Sequence, residues 1–272
     1  MRISVFWTRE TDAREAAKEV FSQLSAEMPG TPDMVFAYYT EALDPTHLAR
    51  SMAEFAPNAA VHGGSTCQGV LVNSGFVSGT PGILGVLALH DPDGDFGTSI
   101  CEFGNDPEQA AAKAVRESLS NAGRPGESPL FVWISSTPGR EEKILAGIES
   151  VLGPNIPVLG GSAADDAVAG NWSVIGNGSA STEGVAVTSF FPSQEPGFSF
   201  HSGYSPTSHF GVATETEGRI LKEIDGRPAA LVYNDWTEGA ISSVLPRGGD
   251  VLGLTSWYPL ARFKHQLGKV PL

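Results

Sequence analysis

The sequence predicts an α/β protein: a duplicated strand–helix unit whose mixed sheets are flanked by helices, followed by a partial second α/β module. Short apolar runs rich in strand-forming residues alternate with segments whose apolar residues recur at helical spacing. The alternation restarts near residue 98, which indicates a second copy of the same unit. The chain has 272 residues, 41% of them hydrophobic, and is therefore long and apolar enough to bury a substantial core.

The first half, about residues 1–92, reads strand–helix–strand–helix–strand and ends in two β-rich stretches. Asp12 is a residue type that caps helix N-termini, and it precedes a helix predicted over Ala13–Met28. Asp44-Pro45 begins a second helix, because proline is favoured in the first helical turn. Strands are predicted at Ile3–Thr8, Met34–Tyr39, Ala59–His62, about Gly69–Val77, and Ile83–His90.

The second half, about residues 96–192, repeats this order. Helices are predicted from Asp106-Pro107 to about Ala122 and over Arg140–Leu152. Strands are predicted at Thr98–Phe103, Leu130–Ser135, Ile156–Leu159, near Trp172–Ile175, and at Gly184–Phe191.

The two halves align with an offset that drifts slowly. Ala16-Ala17-Lys18 falls on Ala111-Ala112-Lys113 at an offset of 95 residues, and Gly85-Val86 falls on Gly184-Val185 at 99. Such a drift is typical of a duplicated unit with small insertions. We expect parallel strand pairing early in each half, through right-handed crossovers, and antiparallel pairing at its end.

The pattern changes after residue 192. A polar linker at Ser193–Gly197 separates the duplicated module, residues 1–192, from a second module at residues 193–272. The second module is predicted to contain strands at Phe198–Gly203, Phe210–Thr216 and Ile220–Ile224, a turn at Asp225-Gly226, and a helix from Pro228. Because the last residues close no recognisable sheet or helix, we expect the natural chain to continue beyond them.

Charge and composition exclude several classes of protein. The formal net charge of −14 would repel nucleic acid and anionic membranes over most of the surface. No apolar run approaches the roughly 20 residues that span a bilayer, and the N-terminus does not resemble a signal peptide. We therefore expect a cytoplasmic protein without membrane insertion. The two cysteines form no CxxC motif, which argues against a disulfide framework or a cysteine zinc site.

Two Gly-Gly-Ser segments, Gly63-Gly64-Ser65 and Gly160-Gly161-Ser162, stand at equivalent places in the halves, 97 residues apart. We interpret them as turns that face a shared ligand pocket, because glycine lets the backbone approach another group closely. Ser65, Thr66, Ser162 and backbone N–H groups would bind a carboxylate, and Asp165 and Asp166 an ammonium group. Ordinary tight connections and capped, solvated turns remain the alternatives. The predicted ligand-binding residues are Gly63, Gly64, Ser65, Thr66, Cys67, Gly160, Gly161, Ser162, Asp165, Asp166 and Trp172.

Catalytic and metal sites have little support in the sequence. Cys67 and Ser65 are the candidate nucleophiles of a hydrolase, but no GxSxG elbow surrounds Ser65 or Ser162. No two histidines have the spacing of a helical metal site. His201 and His209 flank a turn and could converge, and one histidine is enough to hold non-covalent haem. We predict binding without catalysis and without a resident cofactor, and keep haem as an alternative.

The chain resembles the FIST family of intracellular sensory proteins over nearly its whole length. The first module carries Gly63-Gly64-Ser65-Thr66 and the run from Gly160 to Asp165, which are similar to two glycine-rich motifs of the family. The second module carries Gly203-Tyr204-Ser205-Pro206, Ile224-Asp225-Gly226-Arg227-Pro228-Ala229 and Tyr258-Pro259-Leu260. Gly64 replaces a usual cysteine, Ala164 a glycine, and Ser205 a common arginine, and the second module has about half the expected length.

The resemblance implies a sensor that binds an amino-acid-like ligand and signals to a partner in trans, such as a histidine kinase or a diguanylate cyclase. It leaves open a haem-binding nitric-oxide sensor, which exists as a subgroup of the family. A protein-interaction adaptor is a further alternative, because eukaryotic relatives occur in F-box proteins. A cysteine- or serine-dependent hydrolase is the last.

Overall fold

A computed structural model describes residues 1–28, 30–197, 199 and 203–262. The chain forms two units, residues 1–197 and 198–272. The helices of the first unit are α1 Ala13–Glu27, α2 Pro45–Phe55, α3 Pro107–Asn121 and α4 Glu141–Leu152. Its strands are β1 Arg2–Thr8, β2 Met34–Thr40, β3 Ala60–Thr66, β4 Gly69–Val72, β5 Gly75–Ser78, β6 Leu84–His90, β7 Asp95–Glu102, β8 Phe131–Ser136, β9 Val158–Ser162, β10 Val174–Gly176, β11 Ser179–Ser181 and β12 Gly184–Phe191.

The α/β class with mixed sheets and flanking helices is confirmed. One sheet has the order β1-β6-β2-β3-β10-β11 and the other the order β7-β12-β8-β9. In each sheet one pair is parallel, β2 with β3 and β8 with β9, while β6 and β12 are antiparallel to both of their neighbours. The four strands common to both sheets therefore have the same order and directions, which supports the interpretation of a duplicated unit.

The expected pairing is correct only in part. The last strand of each half inserts between the first and second strands, so β1 and β2 are not neighbours and neither are β7 and β8. A further difference separates the halves. Strand β10, from the second half, pairs antiparallel with β3 of the first half, while β4 and β5 form a hairpin of their own. Of the two equivalent strands, β3 thus has a neighbour on both sides, whereas β9 is the edge of its sheet.

The two sheets lie between two layers of helices. Apolar faces of α1 and α2 pack on one sheet around Val20, Leu48 and Val86. Those of α3 and α4 pack on the other around Val115, Ile144 and Val187. The two inner sheet faces meet in an aromatic cluster that includes Phe36, Phe96, Phe131, Trp133 and Phe190.

The prediction that the Gly-Gly-Ser segments are turns is wrong. Gly63-Gly64-Ser65 lies within β3 and Gly160-Gly161-Ser162 within β9. The physical reason is the parallel neighbour: β2 pairs with β3 as far as Thr40 opposite Thr66, and β8 pairs with β9 as far as Ser136 opposite Ser162. Glycine is needed here because the neighbouring strand approaches closely, and not because the backbone changes direction.

The second unit contains a three-stranded antiparallel sheet and short helices. Its elements are β13 Ala213–Glu217, β14 Ile220–Ile224, β15 Arg227–Pro228, α5 Ala229–Trp236 and α6 Leu252–Thr255. Ile224, Ala229 and Val232 form its buried cluster. The strand predicted at Phe198–Gly203 lies mostly outside the described residues. Within the described part of the chain, no helix has the length and apolar character needed to cross a bilayer.

Candidate functional site

A cleft of about 340 Å³ lies where the carboxyl ends of the two parallel strand pairs meet. Each of these four strands contributes to its lining, and the residues that follow β3 and β9 complete it. The lining residues are Tyr38, Ser65, Thr66, Cys67, Trp133, Ser135, Gly160, Gly161, Ser162, Ala163 and Ala164. The structure thus brings six of the predicted residues to one cleft: Ser65, Thr66, Cys67, Gly160, Gly161 and Ser162.

The first glycine of each Gly-Gly-Ser segment is required by its neighbour. A Cβ atom on Gly63 would lie 1.9 Å from the carbonyl oxygen of Ala37, and one on Gly160 would lie 1.9 Å from that of Ile134. The second glycine differs. A Cβ on Gly64 would meet only ordinary contacts, and one on Gly161 would meet no atom within 4 Å.

Backbone hydrogen bonds tie the two segments together. The N–H of Ala164 donates to the carbonyl oxygen of Ser65 at 2.9 Å. The N–H of Ser65 donates to the carbonyl of Ser173 at 2.8 Å, and the N–H of Ser173 donates back to Oγ of Ser65 at 2.9 Å. These bonds fix the spacing of the cleft walls, but they also occupy backbone donors that we expected to bind a carboxylate.

Two of the predicted hydroxyl donors, Thr66 and Ser162, are also engaged, whereas the Ser65 hydroxyl is engaged as an acceptor. Thr66 Oγ1 donates to the carbonyl oxygen of Gly69 at 2.8 Å, and Ser162 Oγ donates to the carboxylate of Glu141 at 2.8 Å. Ser65 is buried with its Oγ accepting from Ser173. A carboxylate in this cleft would therefore find few free donors among the residues that the sequence singled out.

Gly63 and Gly64 lie beside the cleft without lining it, and so do Asp165, Asp166 and Trp172. Trp172 packs against Ala163 and Val174. The buried carboxylate of Asp165 accepts the backbone N–H groups of Ala169, Gly170 and Asn171 at 2.7–3.0 Å. Burial alone would raise the pKa of Asp165, but these N–H groups outweigh burial and lower it. Asp165 therefore holds the 166–171 loop in shape.

The floor of the cleft is a chain of polar side chains that sequence reasoning missed. Trp133 Nε1 donates to the Tyr38 hydroxyl at 2.8 Å, and that hydroxyl lies 3.1 Å from Ser135 Oγ. Ser135 Oγ lies 2.9 Å from Nε2 of His62, and His62 Nδ1 lies 2.9 Å from Thr188 Oγ1. Thr188 Oγ1 in turn lies 2.7 Å from Thr98 Oγ1. The chain runs from the cleft into the interface between the sheets.

Burial determines the charge of this chain. His62 is fully buried, which lowers its pKa to about 3, so its imidazole is neutral at physiological pH. Burial also raises the pKa of Tyr38, although hydrogen bonds to Ser135 and Trp133 oppose the shift. The floor is therefore uncharged.

Acidic groups surround the mouth beside Cys67. Thr40 pairs with Thr66, so Glu41 and Cys67 follow side by side, and the N–H of Gln68 donates to the carboxylate of Asp166. The pKa of Cys67 is raised, by partial burial first and then by the charges of Asp166, Asp165 and Glu41. One carboxylate oxygen of Glu41, Oε2, is buried and has no hydrogen-bond partner among the described residues.

In the described part of the chain, no cluster of three or more histidine, cysteine or acidic residues could hold a metal ion. His201 lies outside the described residues. His209 is exposed in the second unit, and its ring stacks on Trp236 with centroids 6.2 Å apart.

One signal in the sequence could have found the floor. Tyr38 and Ser135 are 97 residues apart, the same offset as the Gly-Gly-Ser segments, and both stand near the ends of their strands. The same offset relates Phe36 to Trp133, whose ring centroids are 5.1 Å apart. Equivalent positions of the two halves therefore meet at the cleft.

Comparison with known proteins gives one family and a distant structural similarity. The model of the FIST N domain matches residues 33–227. A cyanuric acid hydrolase from A. caulinodans is 12% identical, with 71% of this chain and 67% of that chain covered and a TM-score of 0.36. A second cyanuric acid hydrolase structure, described as an evolutionary innovation by structural concatenation, is also 12% identical, with 71% and 68% covered and a TM-score of 0.37. No curated protein matches the chain.

Proposed function

The chain belongs to the FIST N domain family, and we propose that it senses a small polar molecule, amino-acid-like in size, by binding it in the cleft between β3 and β9. The family is associated with small-ligand sensing and signalling. The proposal adds the place of binding and the absence of a chemical step.

The observation that carries the proposal is the convergence of both halves on one cleft with a polar floor. About 340 Å³ is within the range of pockets that hold small molecules. Its walls come from strands of both sheets, so a ligand in the cleft contacts both halves at once. A ligand that favours one spacing of the sheets would shift the protein toward that spacing.

The protonation behaviour of the nearby groups supports binding without catalysis. Ser135 Oγ is 2.9 Å from His62 Nε2, but an imidazole with a pKa of about 3 is a weak base for activating a serine. The raised pKa of Cys67 reduces the thiolate fraction that a nucleophilic cysteine needs. The proposal needs no resident cofactor. Its output passes to a partner in trans, for which a histidine kinase or a diguanylate cyclase is the candidate.

Isothermal titration calorimetry with a panel of amino acids, amino-acid amides, small amines and small carboxylates tests the proposal. We expect at least one class to bind with micromolar to millimolar affinity. Gly161→Leu should abolish binding, because its side chain enters the cleft without meeting another atom near its Cβ.

Gly197→Leu is the matched control, since a Cβ there also meets nothing within 4 Å and Gly197 does not line the cleft. It should bind as the wild type does. No detectable binding of any panel compound by the wild-type protein would overturn the proposal. Binding by Gly161→Leu with the affinity of the wild type would also overturn it.

A further inference from the structure

The polar chain beneath the cleft has one more donor hydrogen than it has hydrogen-bond contacts. Five contacts link Trp133, Tyr38, Ser135, His62, Thr188 and Thr98 in that order. A neutral imidazole carries one N–H, the indole carries one, and each of the four hydroxyls carries one, which gives six donor hydrogens. Each contact uses one donor, so one hydrogen is left over.

The position of the spare hydrogen fixes the histidine tautomer. If it remains on Thr98 or Thr188, every contact can form only with the imidazole hydrogen on Nδ1. If it remains on Ser135 or Tyr38, the hydrogen must be on Nε2. The two tautomers therefore correspond to the two ends of the chain.

Burial decides between the two ends. Thr98 and Thr188 are fully buried, and the described part of the chain offers their hydroxyls no further acceptor. A hydroxyl hydrogen left there would lose a hydrogen bond without compensation from water. Tyr38 and Ser135 line the cleft, where solvent or a ligand can accept the hydrogen. The hydrogen-bonded chain of side chains is therefore more stable when its spare hydrogen points outward, toward the cleft.

Charge restricts what the accepting group can be. No lysine or arginine is among the described residues that line the cleft. The acidic side chains of Glu41 and Asp166 lie beside its mouth at Cys67, and a buried carboxylate oxygen of Glu41 has no hydrogen-bond partner among the described residues. A carboxylate ligand would enter among like charges without a compensating cation, whereas an uncharged carbonyl accepts a hydrogen bond at no such cost.

We propose that His62 carries its hydrogen on Nε2, and that the spare hydrogen of the Tyr38–Ser135 hydroxyl pair selects ligands with an uncharged carbonyl oxygen, of which primary amides are the class to test. The ligand part of this inference rests on the proposed function. The tautomer of His62, in contrast, is a property of the unliganded protein. The two parts can therefore fail separately.

The tautomer is measured by long-range ¹H–¹⁵N correlation spectra of the whole chain labelled at histidine. The His62 signals are assigned by their absence from His62→Gln or, if that variant does not fold, by their displacement in Ser135→Ala. A hydrogen on Nε2 supports the inference. A hydrogen on Nδ1 overturns it, whatever the ligand experiments give.

The ligand class is measured by calorimetry with matched pairs, butyramide against butyrate and glycinamide against glycine. We expect the amide to bind at least about tenfold more tightly than the matching carboxylate, because the carboxylate must be desolvated among like charges without a compensating cation. Equal or tighter binding of the carboxylates overturns the inference and leaves the proposed function standing. Absence of all binding contradicts the proposed function and the ligand part together.

Variants of the hydroxyl pair sharpen this test. Tyr38→Phe leaves the Ser135 hydrogen free to reach the ligand, so amide affinity should fall by less than about threefold. The double variant Tyr38→Phe with Ser135→Ala removes both donors and should cost at least about tenfold. Tyr39→Phe is the control, because Tyr39 is the adjacent buried tyrosine on β2 but bonds to Ser173 and does not line the cleft. Equal amide affinity in the double variant and the control would contradict the role of the pair.

Discussion

The strands β3 and β9 carry the same Gly-Gly-Ser sequence in opposite surroundings. β3 is covered by β2 and β10 and is buried from Ala60 to Ser65. β9 is the edge of its sheet and is exposed from Gly160 to Ser162. In both, a Cβ atom added to the first glycine would lie 1.9 Å from a carbonyl oxygen of the parallel neighbour. The two strands therefore share a backbone requirement, whereas the burial of each residue depends on which strand covers it.

The residue two positions before the second glycine shows the same contrast. His62 in β3 is fully buried and bonded at both ring nitrogens, while Leu159 in β9 belongs to the partly buried rim of the aromatic cluster. Only the first half contributes a titratable group to the interface between the sheets at this position.

The free energy of unfolding should depend on pH through His62. The folded-state pKa of about 3 is below the ordinary value of 6.5, so between these values the unfolded chain binds a proton that the folded chain does not. This stabilisation is complete above pH 6.5 and is lost as the pH falls, by about 1.4 kcal/mol per pH unit over about three units.

Urea unfolding at a series of pH values measures this slope, and His62→Gln should lower it by the amount due to one proton. An unchanged slope in that variant would remove His62 as its cause. If the variant does not fold, an NMR titration of the His62 ring in the wild type gives the same answer.

Alanine at the first glycine should be costlier in β3 than in β9. In Gly63→Ala the new Cβ would collide with the carbonyl of Ala37 inside a strand held on both sides, and we expect a loss of about 3 kcal/mol or more. In Gly160→Ala the same collision falls on an edge strand that can move away, although a φ of +124° adds strain, and we expect about 1–3 kcal/mol. Denaturant midpoints measure both; an equal or larger loss in Gly160→Ala would contradict the role assigned to β10.

The two serines should differ in the same direction. Ser65→Ala removes the acceptor of the buried Ser173 N–H and should cost about 1–3 kcal/mol. Ser162→Ala removes a bond from an exposed hydroxyl to Glu141 and should change the free energy of unfolding by less than about 0.5 kcal/mol. Thermal unfolding of both variants gives the comparison, and a large loss in Ser162→Ala would show that the edge strand is more constrained than its exposure indicates.

The smallest effect concerns the two thiols. Cys67 is exposed in the lining of the cleft, but its raised pKa lowers its thiolate fraction, so iodoacetamide should alkylate it more slowly than free cysteine at pH 7. Cys101 is buried and should react only after unfolding. Mass spectrometry of the alkylated protein follows both rates. Faster alkylation of Cys67 than of free cysteine would indicate an activated thiol and would favour the hydrolase alternative.

Most of the helices and strands could be predicted, because their apolar periodicity and caps are local. Asp12, Asp44 and Asp106 cap helices that begin within one residue of the predicted positions. The Gly-Gly-Ser segments could not be recognised as strand, because glycine looks the same in a turn and in a strand that another backbone approaches. The pairing of β10 with β3 joins Val174 to Gly64, and a contact so distant in sequence leaves no local pattern.

The candidate site was predictable at its rim and not at its floor. The repeated segments indicated that Ser65 and Ser162 would lie near one another, and both line the cleft. The role of His62 could not be predicted, because nothing in its own half shows that it faces Ser135 and Thr188 of the other half. The floor exists only when the two sheets are placed face to face.

The hydroxyl oxygens of Tyr38 and Ser135, which stand at equivalent positions of the two halves, lie 3.1 Å apart, so the halves face each other at the cleft through equivalent residues. Two identical residues there would give a small ligand two poses of equal energy, related by a half turn, and its population would divide between them. Tyrosine against serine, with Trp133 against Phe36 beside them, makes the two poses unequal. A ligand in this cleft would therefore adopt the same pose in every copy of the protein and would displace the same wall each time.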